Sequence, residues 1–310
     1  MPVGSPSKTY EYRAFLERKS ALAADHGLPC SPDECNALLK PHQKDIVAWA
    51  VRGGRRAIFA AFGLGKTFMQ IEAVRLVMLK AQVERGLIVV PLGVRQEFKR
   101  DAAKLGVEVK FVKSTAEIDG PGIYLTNYET VRDGKLDMSL FGVVSLDEAS
   151  CLRGFGGTKT FREMMRLFEY SDTYRFVATA TPSPNEFIEL LAYAAFLDVM
   201  DVGQAKTRWF KRNSEKADQL TIRPHKEAEF WNWVTSWAVM IQLPSDLGHS
   251  DEGYDMPPLD VRWHMVDSDH SQVSATKSGQ NRMFADTNIG VVDASREKRN
   301  SLPARMANLA

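Results

Sequence analysis

The sequence predicts an α/β fold in which a central parallel sheet is flanked by helices. Short apolar runs alternate with helical stretches from residue 57 onward, and the runs are apolar on both faces. Strands of that kind belong in a parallel sheet that helices cover on both sides. The chain has 310 residues, of which 44% are hydrophobic and 25% charged. This composition is typical of a globular protein and excludes fibrous or largely disordered classes.

The elements of this fold follow from local signals in chain order. A helix is predicted to begin at Pro41, a residue suited to a first helical turn, and to end at the Gly53-Gly54 pair. Six strands are predicted at residues 57–61, 87–90, 109–112, 122–126, 143–146 and 175–178. Helical segments at residues 67–80 and 94–105 separate several of them.

The two ends of the chain differ from this α/β part. Residues 1–36 are predicted to form an N-terminal helical segment, with a helix over residues 9–24, and residues 37–203 form the α/β lobe. Residues 204–310 form a basic, Trp-rich extension that is partly irregular, and residues 226–241 within it are predicted to be one helix. An aromatic stripe on that helix is predicted to pack on the lobe or on a second lobe. The stripe comprises Phe230, Trp233, Val234 and Trp237.

Charge and cysteine usage exclude several classes of protein. The net charge is +1, so any nucleic-acid surface must be a local patch. Three cysteines are too few for a disulfide framework, and no His cluster completes a zinc site beside Cys30 and Cys35. The N-terminus has no apolar signal region, and no window approaches the length of a membrane span. We expect a soluble intracellular protein.

A glycine-rich loop follows the first predicted strand and precedes a helix. It comprises Ala60, Ala61, Phe62, Gly63, Leu64, Gly65, Lys66 and Thr67. Backbone N–H groups in such a loop turn inward around phosphate oxygens, the lysine reaches the β- and γ-phosphates, and the threonine hydroxyl holds Mg²⁺. The strict pattern has Gly where this chain has Ala60. A fortuitous turn is the alternative, but the intact Gly-Lys-Thr favours binding of ATP with Mg²⁺.

Two adjacent carboxylates end the fifth predicted strand. In P-loop motors an Asp at such a strand end positions Mg²⁺, and a neighbouring Glu can orient and deprotonate the attacking water. Asp147 and Glu148 are the candidates for these two roles. Carboxylates also occur as simple strand terminators. Together with the loop, however, the pair favours an ATPase site with Lys66, Asp147 and Glu148 as catalytic residues and Thr67 and Asp147 as metal ligands.

Six motifs in this order resemble superfamily 2 helicases and translocases, in particular their remodeller-like (Swi/Snf-type) branch. The matching segments are residues 39–43, 60–67, 88–98, 125–130, 147–150 and 179–182. The resemblance implies a RecA-like first lobe that couples ATP hydrolysis to movement on duplex DNA, without sequence specificity. It also implies that Gln43 selects adenine and that Thr179 and Thr181 link the nucleotide state to DNA grip. Residues 182–185, 194–200 and 230–248 narrow the resemblance to members encoded by phages and prophages, which act in the bacterial cytoplasm.

Two departures from the family pattern affect the expected activity. Ser150 stands where His or Asp is common in the family. The hydrogen-bond relay that normally joins the carboxylate motif to the motif at Thr179 is therefore not assured in this chain. The Gln-x-x-Gly-Arg-x-x-Arg motif of a second lobe has no match, and its arginine finger contributes about 10³–10⁵ in rate in related hydrolases. Three explanations stay open: a truncated gene product, an expressed fragment, or a subunit completed by a second lobe in trans.

Two other functions compete with the motor. A non-hydrolysing, ATP-dependent module could bind DNA or a partner, and a motor subunit of a restriction-type complex would share the same site chemistry. Arg95, Lys99 and Arg132 are candidates for DNA backbone contacts. A second basic cluster either grips phosphates and stacks on a base or is a solvated helix face with two buried aromatics. It comprises Lys206, Arg208, Trp209, Phe210, Lys211 and Arg212.

Overall fold

The computed structural model describes most of the chain outside its two ends. The described residues are 22–152, 159–168, 172–183, 185–212, 220–254, 260–263, 295, 298–299 and 301–307. Residues 1–254 form one compact unit, and residues 255–310 form another. The helix predicted over residues 9–24 falls almost entirely outside the described residues. No helix in the described ranges combines the length and the apolar character that a bilayer crossing requires.

Nine strands are described, all in the first unit. They are β1 (Arg55–Ala60), β2 (Arg85–Val90), β3 (Val109–Phe111), β4 (Gly122–Asn127), β5 (Val143–Asp147), β6 (Tyr174–Thr179), β7 (Phe210–Arg212), β8 (Leu220–Ile222) and β9 (Ala238–Ile241). Seven of them form a parallel sheet in the order β3-β4-β2-β5-β6-β1-β9. The strands β7 and β8 form a separate antiparallel pair. The predicted α/β class and all six predicted strands are confirmed.

Helices cover both faces of the sheet. The described helices of the first unit are α1 (Pro41–Gly53), α2 (Lys66–Ala81), α3 (Arg95–Lys104), α4 (Tyr128–Arg132), α5 (Lys159–Phe168), α6 (Leu190–Phe196), α7 (Val202–Trp209) and α8 (Glu227–Trp237). The second unit contains α9 (Leu302–Ala307). Alternate residues of β1 face different cores. Ala57 and Phe59 lie in the core with α6 and α8, whereas Ile58 and Ala60 lie in the core with α1 and α2.

The start and end of α1 follow the sequence signals. Pro41 is its first residue, where a missing N–H costs nothing, and Gly54 follows its end with φ +71°. That left-handed residue turns the chain directly into β1. The loop before α1 is tied to the helix end, because the N–H groups of His26 and Gly27 donate to the carbonyls of Gly53 and Arg52.

The prediction of a single helix over residues 226–241 is wrong at its end. The helix α8 stops at Trp237, and the last four residues form β9 beside β1. An apolar run of four residues is compatible with the hydrophobic period of a helix or of a strand. Here the free edge of β1 supplies hydrogen-bonding partners, so the run forms a strand. The sheet thus takes its seventh strand from beyond residue 203, where the sequence places the end of the lobe.

The aromatic stripe of α8 packs on the lobe. Phe230, Trp233 and Trp237 are at most 1% exposed, and Trp209 stacks on Trp233 with ring centroids 4.4 Å apart. Phe210 is also buried, so neither aromatic of the basic cluster is available to stack on a base. Both aromatics are thus buried, as the second alternative expects, but Lys211 and Arg212 belong to β7, so the basic residues do not lie on one helix face.

We expect truncation of this aromatic core to destabilise the first unit. Trp237→Ala removes a fully buried indole, and a change of that kind lowers the free energy of unfolding by about 3–5 kcal/mol. Denaturant-induced unfolding measures this. The matched control is Trp263→Ala, because the Trp263 side chain is 86% exposed and its loss should leave the transition in place. Equal transitions for the two variants would contradict this packing.

Candidate functional site

The glycine-rich loop connects β1 to α2 at the carboxyl edge of the sheet. Gly63 and Gly65 adopt φ +86° and +80°, a left-handed conformation that glycine enters without strain. Ala60, where the strict pattern has glycine, is the last residue of β1 and is fully buried. The departure therefore falls in the strand, and both residues that make the turn are glycines.

Lys66 is held over this loop. Its Nζ donates to the carbonyl oxygens of Ala60 at 2.9 Å and Ala61 at 3.2 Å. Burial lowers the pKa of Lys66, and the charges of Asp147 and Glu148 oppose that shift. The same ammonium lies 5.2 Å from the centroid of the exposed Phe62 ring. The lysine is thus a partly desolvated cation, positioned to interact strongly with an anion in the loop.

Gln43 joins the start of α1 to the loop. Its Oε1 accepts from the Lys40 N–H at 2.9 Å, and its Nε2 donates to the Leu64 carbonyl at 3.0 Å. The side chain is buried, so both ends of its amide are used inside the protein. A Cβ added to Gly65 would lie 2.3 Å from this Nε2, which means that only glycine permits the contact.

The carboxylate of Asp147 is bonded on one side to α2. Gln70 Nε2 donates to Asp147 Oδ1 at 2.8 Å, and Gln70 Oε1 accepts from Ser145 Oγ at 2.8 Å. The hydroxyl of Tyr128 donates to the backbone carbonyl of Asp147 at 2.6 Å. Burial raises the pKa of Asp147 from 3.8 to about 6, reinforced by Glu148 and opposed by Gln70 and Lys66.

Glu148 connects the end of β5 to the end of β6. Thr179 Oγ1 donates to Glu148 Oε1 at 3.0 Å, Thr181 Oγ1 lies 3.5 Å from the same oxygen, and the Thr181 N–H donates to Thr179 Oγ1 at 3.1 Å. Ser150 Oγ donates to the Glu148 carbonyl at 3.3 Å. The two motifs are therefore linked through the side chain of Glu148 itself.

Strand register brings these groups to one edge. Asp147, Ala178 and Ile58 form one row across β5, β6 and β1, and Thr179 pairs with Phe59 in the next. The backbone of Glu148 is left-handed, with φ +45°. A non-glycine residue in that region carries strain of about 1–3 kcal/mol, which neighbouring contacts must offset.

The donor set fits a hard divalent cation. Thr67 contributes a hydroxyl at the first turn of α2, and Asp147 contributes a carboxylate, and both are oxygen ligands of the kind Mg²⁺ prefers. Desolvation holds the pKa of Asp147 high, so its ionised form lacks enough positive charge nearby. A divalent cation beside the ammonium of Lys66 would supply that charge.

Three residues of the site were missed by sequence reasoning. Ser145 interrupts an apolar strand two residues before Asp147, on the same face of β5, and that spacing is a readable signal. Gln70 follows Lys66 by four residues, one turn along the otherwise apolar buried face of α2. Tyr128 carries no comparable signal, because its contact is to a backbone carbonyl.

The predicted DNA contacts are spread over α3 and α4. The Arg95 guanidinium lies 4.9 Å from the Phe111 ring centroid, and Arg132 Nε donates to Asp133 Oδ1 at 3.0 Å. Lys99 is exposed on α3. In the basic cluster, Arg208 is ion-paired with Glu229.

Comparisons with known proteins establish the fold. No protein-family model matches the chain, and no curated protein matches it. Among solved structures, the Sulfolobus solfataricus SWI2/SNF2 ATPase core in complex with dsDNA superposes with TM-score 0.56 at 21% identity, over 69% of this chain and 46% of that one. The Sulfolobus solfataricus SWI2/SNF2 ATPase core domain gives TM-score 0.51 at 19% identity, over 70% and 45%. The chain thus shares the RecA-like fold of these cores and spans less than half their length.

The contact between Gly65 and Gln43 is testable by substitution. Gly65→Ala forces a methyl group against the Gln43 amide, and displacing that amide should lower the free energy of unfolding by about 1 kcal/mol beyond the cost of the left-handed backbone. Gly63→Ala is the matched control, since it has similar φ and nothing lies within 4 Å of its Cβ. In a Gln43→Ala background the two variants should lose equal stability, measured by denaturant unfolding. An extra cost that persists there would contradict the assigned contact.

The raised pKa of Asp147 predicts a pH-dependent stability. The folded protein holds this proton more tightly than the unfolded chain, so stability falls as pH rises from about 4 to about 6. Asp147→Asn removes the titration. In the presence of a chelator, the free energy of unfolding of the variant should therefore rise relative to that of the wild type across this pH range, by up to about 3 kcal/mol. Unfolding at pH 4 and pH 8 measures the difference. The same difference at both pH values would show that Asp147 has an ordinary pKa.

Proposed function

We propose that this chain is the ATP-binding lobe of a superfamily 2, remodeller-like DNA helicase or translocase, which couples ATP hydrolysis to movement on duplex DNA. One observation carries the proposal. The loop lysine, the strand-end carboxylates, and the threonines at and just after the end of β6 meet at one edge of a parallel sheet, with Glu148 bonded to Thr179. That edge is where open α/β sheets bind their ligands.

The geometry of the loop supports the roles proposed for its residues. The backbone of Phe62, Gly63, Leu64 and Gly65 would hold the phosphates of ATP, with Lys66 neutralising their charge. To reach a phosphate, the Lys66 ammonium would leave the carbonyls of Ala60 and Ala61, its present acceptors. Burial disfavours the charged form of Lys66, and a negatively charged phosphate would stabilise that form more strongly than the two neutral carbonyls do. A phosphate would therefore compete well with these carbonyls for the ammonium.

The roles of the strand ends concern metal and water. Thr67 and Asp147 would hold Mg²⁺, which neutralises charge on the phosphates. Glu148 would orient and deprotonate the attacking water as general base. Its bonds to Thr179 and Thr181 give a path by which a change at the nucleotide could reach β6 and the segment after it.

Adenine selection by Gln43 remains part of the proposal. The amide of Gln43 already bonds the Lys40 N–H and the Leu64 carbonyl. Recognition of a base there would replace one of these bonds, so base binding and the position of the phosphate loop would be coupled through one side chain.

DNA is the proposed partner of the motor. The SWI2/SNF2 core of similar fold was solved with dsDNA, which supports duplex DNA as the track. Lys99, exposed on α3, together with Arg95 and Arg132, would contact backbone phosphates. The motif matches further suggest a phage or prophage origin and action in the bacterial cytoplasm. A second RecA-like lobe, in the same protein or in trans, would supply the arginine finger.

Steady-state ATP hydrolysis with and without duplex DNA tests this proposal. We expect the wild type to bind ATP with Mg²⁺, Lys66→Ala to lose binding, and Glu148→Gln to bind ATP but lose any turnover. Removal of the general base should cost about 10²–10⁴ in rate. Lys80→Ala is the control, because Lys80 lies in the last turn of α2, at the opposite end of the helix from the loop, where it pairs with Glu34.

The outcomes separate the alternatives. DNA-stimulated turnover that both substitutions abolish would indicate a working motor, including one that serves a restriction-type complex. Nucleotide binding without turnover would favour the non-hydrolysing module, and would direct the search to a second lobe. Failure of the wild type to bind ATP would refute the proposal.

A further inference from the structure

A buried amide lies behind the carboxylate of Asp147. Gln70 is fully buried in α2, and Ser145, fully buried in β5, is its second partner. Ser145 and Asp147 are two residues apart on one strand and so project to the same face. Gln70 spans both, with bonds of 2.8 Å to Asp147 Oδ1 and 2.8 Å from Ser145 Oγ.

The chemistry of the three groups allows one orientation of the amide. An ionised carboxylate has no proton to donate, so the NH₂ group of Gln70 must face Asp147. The Oε1 atom then faces Ser145, whose hydroxyl can donate to it. Reversing the amide would place the fully buried Oε1 of Gln70 against the carboxylate, and a buried acceptor without a donor is costly. Ser145 therefore reinforces the orientation that Asp147 requires.

We propose that Gln70 is a positioning residue that fixes the Asp147 carboxylate for divalent-cation binding, and that Ser145 acts through Gln70. This inference rests on the proposed function, because the cation is the Mg²⁺ that accompanies ATP. Gln70 engages one carboxylate oxygen, Oδ1, which restricts rotation of the side chain. Partners of this kind behind a metal ligand typically contribute 10- to 100-fold in metal affinity.

The test separates metal binding from nucleotide binding. A fluorescent ATP analogue is titrated into the wild type and Gln70→Met in EDTA, and in a second titration Mg²⁺ is added to each protein at a fixed concentration of the analogue. Methionine keeps the length of the side chain and removes both hydrogen bonds. We expect unchanged affinity in EDTA, which also reports a folded site, and about 10- to 100-fold more Mg²⁺ required to reach the tight complex. Gln204→Met, at an exposed position of α7, should match the wild type in both titrations.

A double-variant cycle tests the role of Ser145. Ser145→Ala alone should raise the Mg²⁺ requirement less than Gln70→Met, and the double variant should be no worse than Gln70→Met, because Ser145 acts only through the amide. Additive losses would overturn the relay, and a wild-type Mg²⁺ requirement in Gln70→Met would overturn the role of Gln70. A wild type that binds no nucleotide in either titration would instead overturn the proposed function together with this inference.

Discussion

The parallel register of β5, β6 and β1 is the constraint on which the site depends. Parallel strands end at a common edge, so residues far apart in sequence meet there without help from long loops. Asp147, Ala178 and Ile58 share one row, and the next row brings Thr179 within 3.0 Å of the Glu148 carboxylate. A slip of one residue in β5 would move Asp147 to the opposite face, away from Gln70.

The edge strand β9 and the aromatic core hold this register from outside. The Ala61 N–H, at the start of the glycine-rich loop, donates to the Ile241 carbonyl at 3.0 Å, so β9 supports the loop directly. The helix before β9 is anchored by Trp233 and Trp237, which pack in the same core as Phe59 of β1. Residues beyond 203 are thus part of the scaffold of the proposed nucleotide site.

Much of this arrangement could be predicted from the sequence, because its signals are local. The strands are apolar runs, α1 is bounded by Pro41 and Gly54, and Gly63 and Gly65 lie where the turn needs positive φ. The strand β9 could not be predicted, because four apolar residues fit a helix or a strand until the edge of β1 is known. Tyr128 could not be found either, since a hydroxyl bonded to a backbone carbonyl leaves no pattern.

Charge at the site explains why its contacts are so closely arranged. Asp147 and Glu148 are adjacent in a partly desolvated setting, so their carboxylates repel each other. The positive charge of Lys66 opposes that repulsion. Gln70 and Thr179 separate the two by binding them on different sides, one to α2 and one to β6. The backbone of Glu148 is left-handed directly after the end of β5, and its carboxylate lies beside the end of β6. The bonds that the Glu148 carboxylate makes with Thr179 and Thr181 offset part of the strain of that backbone, which is about 1–3 kcal/mol.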